Sequence, residues 1–97
     1  MKSITDYIGK GKESAITRDD LCAAVGMTDR RMRKELERAQ ANGALIANEQ
    51  DGSGYYIPTT ERELLSAYKR EYGRAMSVLV KLKFIRRELK RCGVNVR

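Results

Sequence analysis

The chain has 97 residues, 41% apolar and 34% charged, with 20 Lys/Arg against 13 Asp/Glu and no His. At that size one compact domain with an appendage is expected, close to the limit where a single core stays marginal. No run approaches the roughly 20 apolar residues a membrane span needs, and the lack of His removes the commonest general base and metal ligand.

The net charge of +7 is unevenly placed. Residues 1–60 carry nine Lys/Arg and nine Asp/Glu, whereas residues 61–97 carry eleven Lys/Arg against four Asp/Glu. A basic block of this kind favours a polyanion, usually nucleic acid, although a solubilised helix surface would look the same. Cys22 and Cys92 lie far apart and form no disulfide framework, which fits a reducing cytoplasm. The opening MKSITDYIGKGK lacks the apolar middle of a secretory signal.

In chain order, Ser3 to Ile8 suits a short helix with Ile4, Tyr7 and Ile8 on one side. GKGKESA then reads as a flexible connector, because it lacks the GxxxxGK[ST] pattern of a nucleotide cradle. Thr17 is a good N-cap for the next helix, with Asp20 placed to complete a capping box and Asp19 and Asp20 suited to the positive helix end. Leu21, Cys22 and Val25 follow at helical spacing, and Gly26 fits the left-handed position that closes a helix. Thr28 can cap a new helix at once, leaving only Gly26 and Met27 between, a spacing typical of a helix-turn-helix.

The helix after Thr28 is expected to run to about Asn42, where Asn42-Gly43 stops it. At 100° per residue Met32, Leu36 and Ala39 fall together. Arg30, Lys34, Glu37, Arg38 and Ala41 take the opposite side, flanked by Arg31 and Arg33. Leu45 to Asn48 and Tyr55 to Ile57 are short β-prone runs separated by Asp, Gly and Ser, which is a hairpin signal. Pro58 ends the second run, where its missing N–H matters least.

Thr60 opens a last segment as N-cap, with Glu63 at N3 for a second capping box. Read as one helix to Cys92 it spans about 50 Å. Gly73 is its one weak point, costing about 1 kcal/mol against Ala, and two helices meeting there are the alternative. Leu65, Tyr68, Tyr72, Ala75, Leu79 and Leu82 recur at three-four spacing, and Ile85 and Leu89 continue after a shift of phase. That is a coiled-coil-like seam with a stutter. Met76, Val78, Val80 and Phe84 broaden it beyond what one chain of this size covers, so a homodimer through Leu79, Leu82, Ile85 and Leu89 is expected.

The order helix, helix, turn, helix, β-hairpin is that of a winged helix. Residues 16–58, ITRDDLCAAVGMTDRRMRKELERAQANGALIANEQDGSGYYIP, resemble winged helix-turn-helix domains, especially small DNA-binding proteins of phages and prophages. The shared features are a Thr-led first helix, a Gly-x-Thr turn, a basic third helix and a Gly-Tyr-Tyr-Ile strand. The expected fold class is therefore mainly α with a small β-hairpin: a winged helix-turn-helix over 1–59, followed by a basic helical extension over 60–97. The tip NEQDGSG departs from the pattern, since Glu49 and Asp51 stand where a DNA-binding wing usually carries Lys or Arg.

The resemblance implies a sequence-specific double-stranded DNA-binding protein of a bacterial cytoplasm, in an infected or lysogenic cell. Its role would be transcriptional regulation, or accessory replication or recombination. In such a fold the second helix of the motif enters the major groove and its N-terminal residues reach base edges. Thr28, Arg30, Arg31 and Lys34 fit that position, Arg33 and Arg38 lie nearer the rims, and Arg18 is placed for the backbone. Arg86, Arg87, Lys90 and Arg91 are further candidates for backbone contact. Ordinary solvent charges beside Asp29, Glu35 and Glu37 are the competing reading, and an adaptor holding a partner protein is the competing function.

An enzyme is not expected. Asp19 and Asp20 sit where capping accounts for them, and Ser14, Ser53, Ser66 and Ser77 have no visible partner base. Asp51-Gly52-Ser53-Gly54 is too short for a calcium loop. No cofactor, metal, membrane or small-molecule ligand is suggested.

Overall fold

The computed structural model describes residues 3–96. The chain divides into two compact units, one closing at Ala67 and the other beginning at Tyr68. The protein is mainly helical, with α1 at Arg18–Val25, α2 at Asp29–Ala41 and a long C-terminal α3 at Glu61–Arg91. A small antiparallel hairpin pairs β1, Ala47–Asn48, with β2, Tyr55–Tyr56.

The first unit starts with a 3-10 turn at Ile4–Tyr7, capped reciprocally by Ser3 and Asp6. This short element turns Ile4 and Ile8 inward, and both are buried against Leu21 of α1 and Met32 and Leu36 of α2. Thr17 caps α1 as expected, its Oγ1 accepting from the Asp20 N–H at 3.2 Å. Gly26 closes α1 with φ +69°, and its N–H reaches the Cys22 carbonyl. That left-handed residue lets the chain reverse without the Cβ clash another residue would meet. Thr28 then caps α2 through the Arg31 N–H at 3.3 Å. Two consecutive caps therefore set the turn between α1 and α2, and Met32 and Leu36 fix the inner face of α2.

The strands are shorter than the sequence runs that suggest them. After α2 the Ala44 N–H still bonds to the Ala39 carbonyl, so Leu45 leaves the helix end 60% exposed and pairing begins only at Ala47. β2 has partners on both sides. Ala47 and Asn48 face Tyr56 and Tyr55 on one edge. On the other, Ile16 and Tyr55 exchange both backbone hydrogen bonds at 2.8 and 2.9 Å. Next to them, Gly11 N–H and the Gly9 carbonyl both bond to Ile57.

The segment 9–15 is thus not the flexible connector its composition suggests. Its backbone is tied to Ile57, the residue after β2, and it contains a 3-10 turn at Lys12–Ser14. Gly9 there permits close approach, since a Cβ on it would lie 2.7 Å from the Ser14 Cβ and 2.8 Å from the Ser14 carbonyl oxygen. In the hairpin Gly54 does the same more sharply, because a Cβ there, at φ +98°, would lie 2.0 Å from the Ile16 carbonyl oxygen.

α3 is continuous through Gly73, so the two-helix alternative does not hold. Its 31 residues span about 46 Å. The Thr60–Glu63 capping box starts it, with Thr60 Oγ1 accepting from Glu63 N–H at 3.1 Å and Glu63 Oε1 accepting from Thr60 N–H at 3.5 Å. Gly73 keeps helical backbone within a run of strong helix formers, and Ser77 Oγ donates to its carbonyl at 3.1 Å. No described residue of α3 is fully buried. Among the described residues no helix is long and apolar enough to cross a membrane.

Candidate nucleic-acid interface

The outward face of α2 is built by its inward one. Met32 and Leu36 are buried, which leaves Arg30, Arg31, Arg33, Lys34 and Arg38 exposed. These cations do not share one environment. Asp29, the first residue of α2, forms ion pairs with Arg18, whose Nε lies 3.4 Å away, and with Arg33, whose Nε lies 3.1 Å away. It thereby joins the start of α1 to the first turn of α2 through one carboxylate. Arg38 is paired with Glu35 at 3.1 Å.

Arg30, Arg31 and Lys34 form no ion pair among the described residues. They occupy the first half of α2, directly after Thr28. The Thr28 oxygen is engaged by the Arg31 N–H, while its own hydroxyl hydrogen remains able to donate outward. The sequence groups seven residues here. The structure keeps them in one unit but separates three unpaired cations from three that already hold carboxylates.

The other basic candidates belong to the second unit. Arg91 is paired with Glu88 at 3.0 Å, and the Arg87 guanidinium lies 5.5 Å from the centre of the Phe84 ring. Arg86 and Lys90 are exposed. Of the expected dimer contacts, Leu79, Leu82 and Ile85 are exposed, while Leu89 is half-buried where the Val94 N–H returns to its carbonyl.

The acidic tip of the hairpin has an unforeseen partner. Lys12 Nζ pairs with both Glu49 and Asp51, the latter at 2.8 Å. Asp51 and then Glu49 hold the Lys12 ammonium above its ordinary pKa. Lys12 in turn holds both carboxyls below the usual range, helped at Glu49 by the Tyr56 hydroxyl and at Asp51 by Ser53. The Tyr56 hydroxyl donates to Glu49 at 3.0 Å and Ser66 donates at 3.3 Å, so a buried ring is anchored through this group. Glu63 completes the knot, accepting from the backbone N–H of Thr59 at 3.0 Å and of Lys12 at 2.9 Å, which also lowers its pKa. The tip charges therefore act inward, as structural anchors, and are partly neutralised before any ligand arrives. Thirty-seven residues separate Lys12 from Glu49, so no local spacing could reveal the pair.

Asp29, read from sequence only as a neighbouring solvent charge, joins two arginines instead. Its signal is present, since an acid in the first helical turn with Arg four residues on is a favourable pair. Among the described residues no group of three or more His, Cys, Asp or Glu could hold a metal ion. Compared with family models, with curated proteins and with solved structures, the chain matches none.

Proposed function

We propose that residues 1–59 are a winged helix-turn-helix that reads double-stranded DNA with α2 in the major groove. The protein would act as a homodimeric transcriptional regulator, or accessory replication or recombination factor, of phage or prophage type in a bacterial cytoplasm. The observation that carries this reading is the trio Arg30, Arg31 and Lys34. Among the described residues these cations form no ion pair, and they stand in the first half of a helix that directly follows a Gly-capped two-residue turn.

Arg forks onto the O6 and N7 of guanine, and Thr meets a thymine methyl or a phosphate. Thr28, Arg30, Arg31 and Lys34 supply those groups at the end of the helix that would face base edges. Arg18 and Arg33, held together by Asp29, are suited to backbone phosphates, and Arg38 to the rim. β2 with partners on both edges gives a wing whose tip is occupied by its own ion pairs, so the wing supports the sheet and makes no phosphate contact. Arg86, Arg87, Lys90 and Arg91 add sequence-independent attraction to the polyanion. No catalytic role or cofactor belongs to this function.

Titration onto duplex DNA at rising salt tests it. The logarithm of the binding constant should fall linearly with the logarithm of salt, steeply enough for several phosphate contacts. Failure to bind duplex DNA at low salt, with the fold intact, would hand the molecule to the adaptor reading.

A further inference from the structure

We infer that α3 pairs with α3 of a second copy as an antiparallel coiled coil centred at Ser77. This rests on the homodimer proposed above and adds its direction and register.

The seam runs from Leu65 to Leu89 by alternating steps of three and four residues, and on this helix it falls within an arc of about 120° at 100° per residue. Leu65, Tyr68, Tyr72 and Leu79 are each at least half exposed. A contiguous apolar strip of that length is poorly tolerated in water. The repeat holds without a shift of phase if Arg86 occupies a seam position, and Ile85 then lies at the strip's edge. That single charged position, together with the small Ala75, decides the direction.

In a parallel, in-register pair each seam residue meets its own copy. Arg86 would then face Arg86, two like charges at a core position. Ala75 would face Ala75, a gap between the bulky layers made by Tyr72 and Leu79. In the antiparallel pair each residue meets the one whose number brings the total to 154. Ala75 then packs on the partner's Leu79, and Tyr72 on the partner's Leu82. Leu65 packs on the partner's Leu89. Large residues meet smaller ones, and the layers become even in volume, as close packing requires. Arg86 falls over the partner's Tyr68, where a guanidinium is attracted to the ring face. Met76 and Val78 lie on opposite sides of the seam, and the two-fold axis brings each beside its own copy near the centre, extending the dry strip on both sides.

The charge along the helix selects the same direction. Residues 61–72 carry three Lys/Arg and three Asp/Glu, whereas residues 73–97 carry eight Lys/Arg and one Asp/Glu. A parallel pair sets two strongly basic segments side by side. The antiparallel pair sets each against a neutral one, and like charges across a helix interface disfavour pairing.

Cys92 reports the direction. With Cys22→Ala leaving one thiol, a nitroxide on Cys92 lies fifteen residues from the centre on each chain. The antiparallel pair predicts a dipolar distance of about 45 Å, and a parallel pair one below about 20 Å. Light scattering on the same sample must give twice the 11.0 kDa chain mass. A monomer mass would overturn the homodimer itself, whereas a dimer with the short distance would overturn only the direction. Should the variant fail to fold, mild oxidation of the unmodified dimer serves instead. Cys92 should form no interchain disulfide, and rapid cross-linking through Cys92 would reject the antiparallel register.

Discussion

Gly54→Ala tests the packing that holds β2 between its neighbours. A Cβ at this position would stand 2.0 Å from the Ile16 carbonyl oxygen, 2.5 Å from its carbon and 2.7 Å from the Thr17 Cα. All three are backbone atoms, so no side chain can swing aside. Relief requires Ile16 to move off by more than about 1 Å, which breaks its two hydrogen bonds with Tyr55, each worth about 1 kcal/mol net. The positive φ adds about 1–3 kcal/mol of its own. The sum is about 3–5 kcal/mol, a large share of the roughly 5–15 kcal/mol typical of a whole domain. Gly52→Ala is the control, because it has φ +93° but open space around its Cβ, and should cost only the backbone strain. Urea unfolding followed by circular dichroism gives both values. Equal losses of stability in the two variants would refute the clash, as would a loss below about 1 kcal/mol for Gly54→Ala.

Glu49, Asp51 and Glu63 all titrate below their ordinary values, so their contribution to stability is full above the unfolded carboxylate range and is lost as pH falls through the folded values. Lys12, raised, contributes fully below its unfolded value of 10.5 and loses that contribution only as pH rises through its higher folded value. Melting temperatures from pH 2 to 8 should therefore drop on the acid side, and Lys12→Met should shrink that drop; an identical acid profile would show that the ion-pair knot adds nothing to stability. Asp29→Asn frees Arg18 and Arg33 for phosphate, and should tighten duplex DNA binding and steepen its log–log salt slope by about 0.9 for each further phosphate neutralised. An unchanged slope in salt titrations would show that releasing these two arginines adds no phosphate contact. Leu79→Glu with Leu82→Glu should turn a dimer into a folded monomer by light scattering, since both side chains lie exposed on one strip of α3.

The elements that local chemistry dictates are legible in the sequence. Two threonine caps, a left-handed glycine and the Met32–Leu36 face place α1, α2 and their turn almost to the residue, because each acts over no more than four positions. The strands come out too long from sequence, since where pairing starts depends on how α2 ends at Ala44 and not on β propensity. The connector 9–15 differs for a related reason. Glycine marks both freedom and close approach, and only the contacts of Gly9 with Ser14 and of the Gly9 and Gly11 backbone with Ile57 distinguish them. Gly73 misleads in the opposite sense, as its cost of about 1 kcal/mol is small beside the helix formers around it. At the candidate interface the residue types and the pairs within α2 are visible in the sequence, but the pairing of Asp29 with Arg18 across α1 and α2 is not. Asp29 holds Arg33 within α2 and Arg18 across from α1, Glu35 holds Arg38, and Arg30, Arg31 and Lys34 are left without an ion pair among the described residues.

Selection of bound sequences from random duplex DNA, run in parallel on the unaltered protein and on the Arg30→Ala, Lys34→Ala variant, addresses the central claim directly. DNA reading by α2 predicts a defined motif for the protein, with guanine at one or more of its positions. The variant should lose preference at those positions, with about 1–3 kcal/mol of affinity lost for an Arg that forks onto guanine. No motif, or the same motif from both proteins, would contradict it.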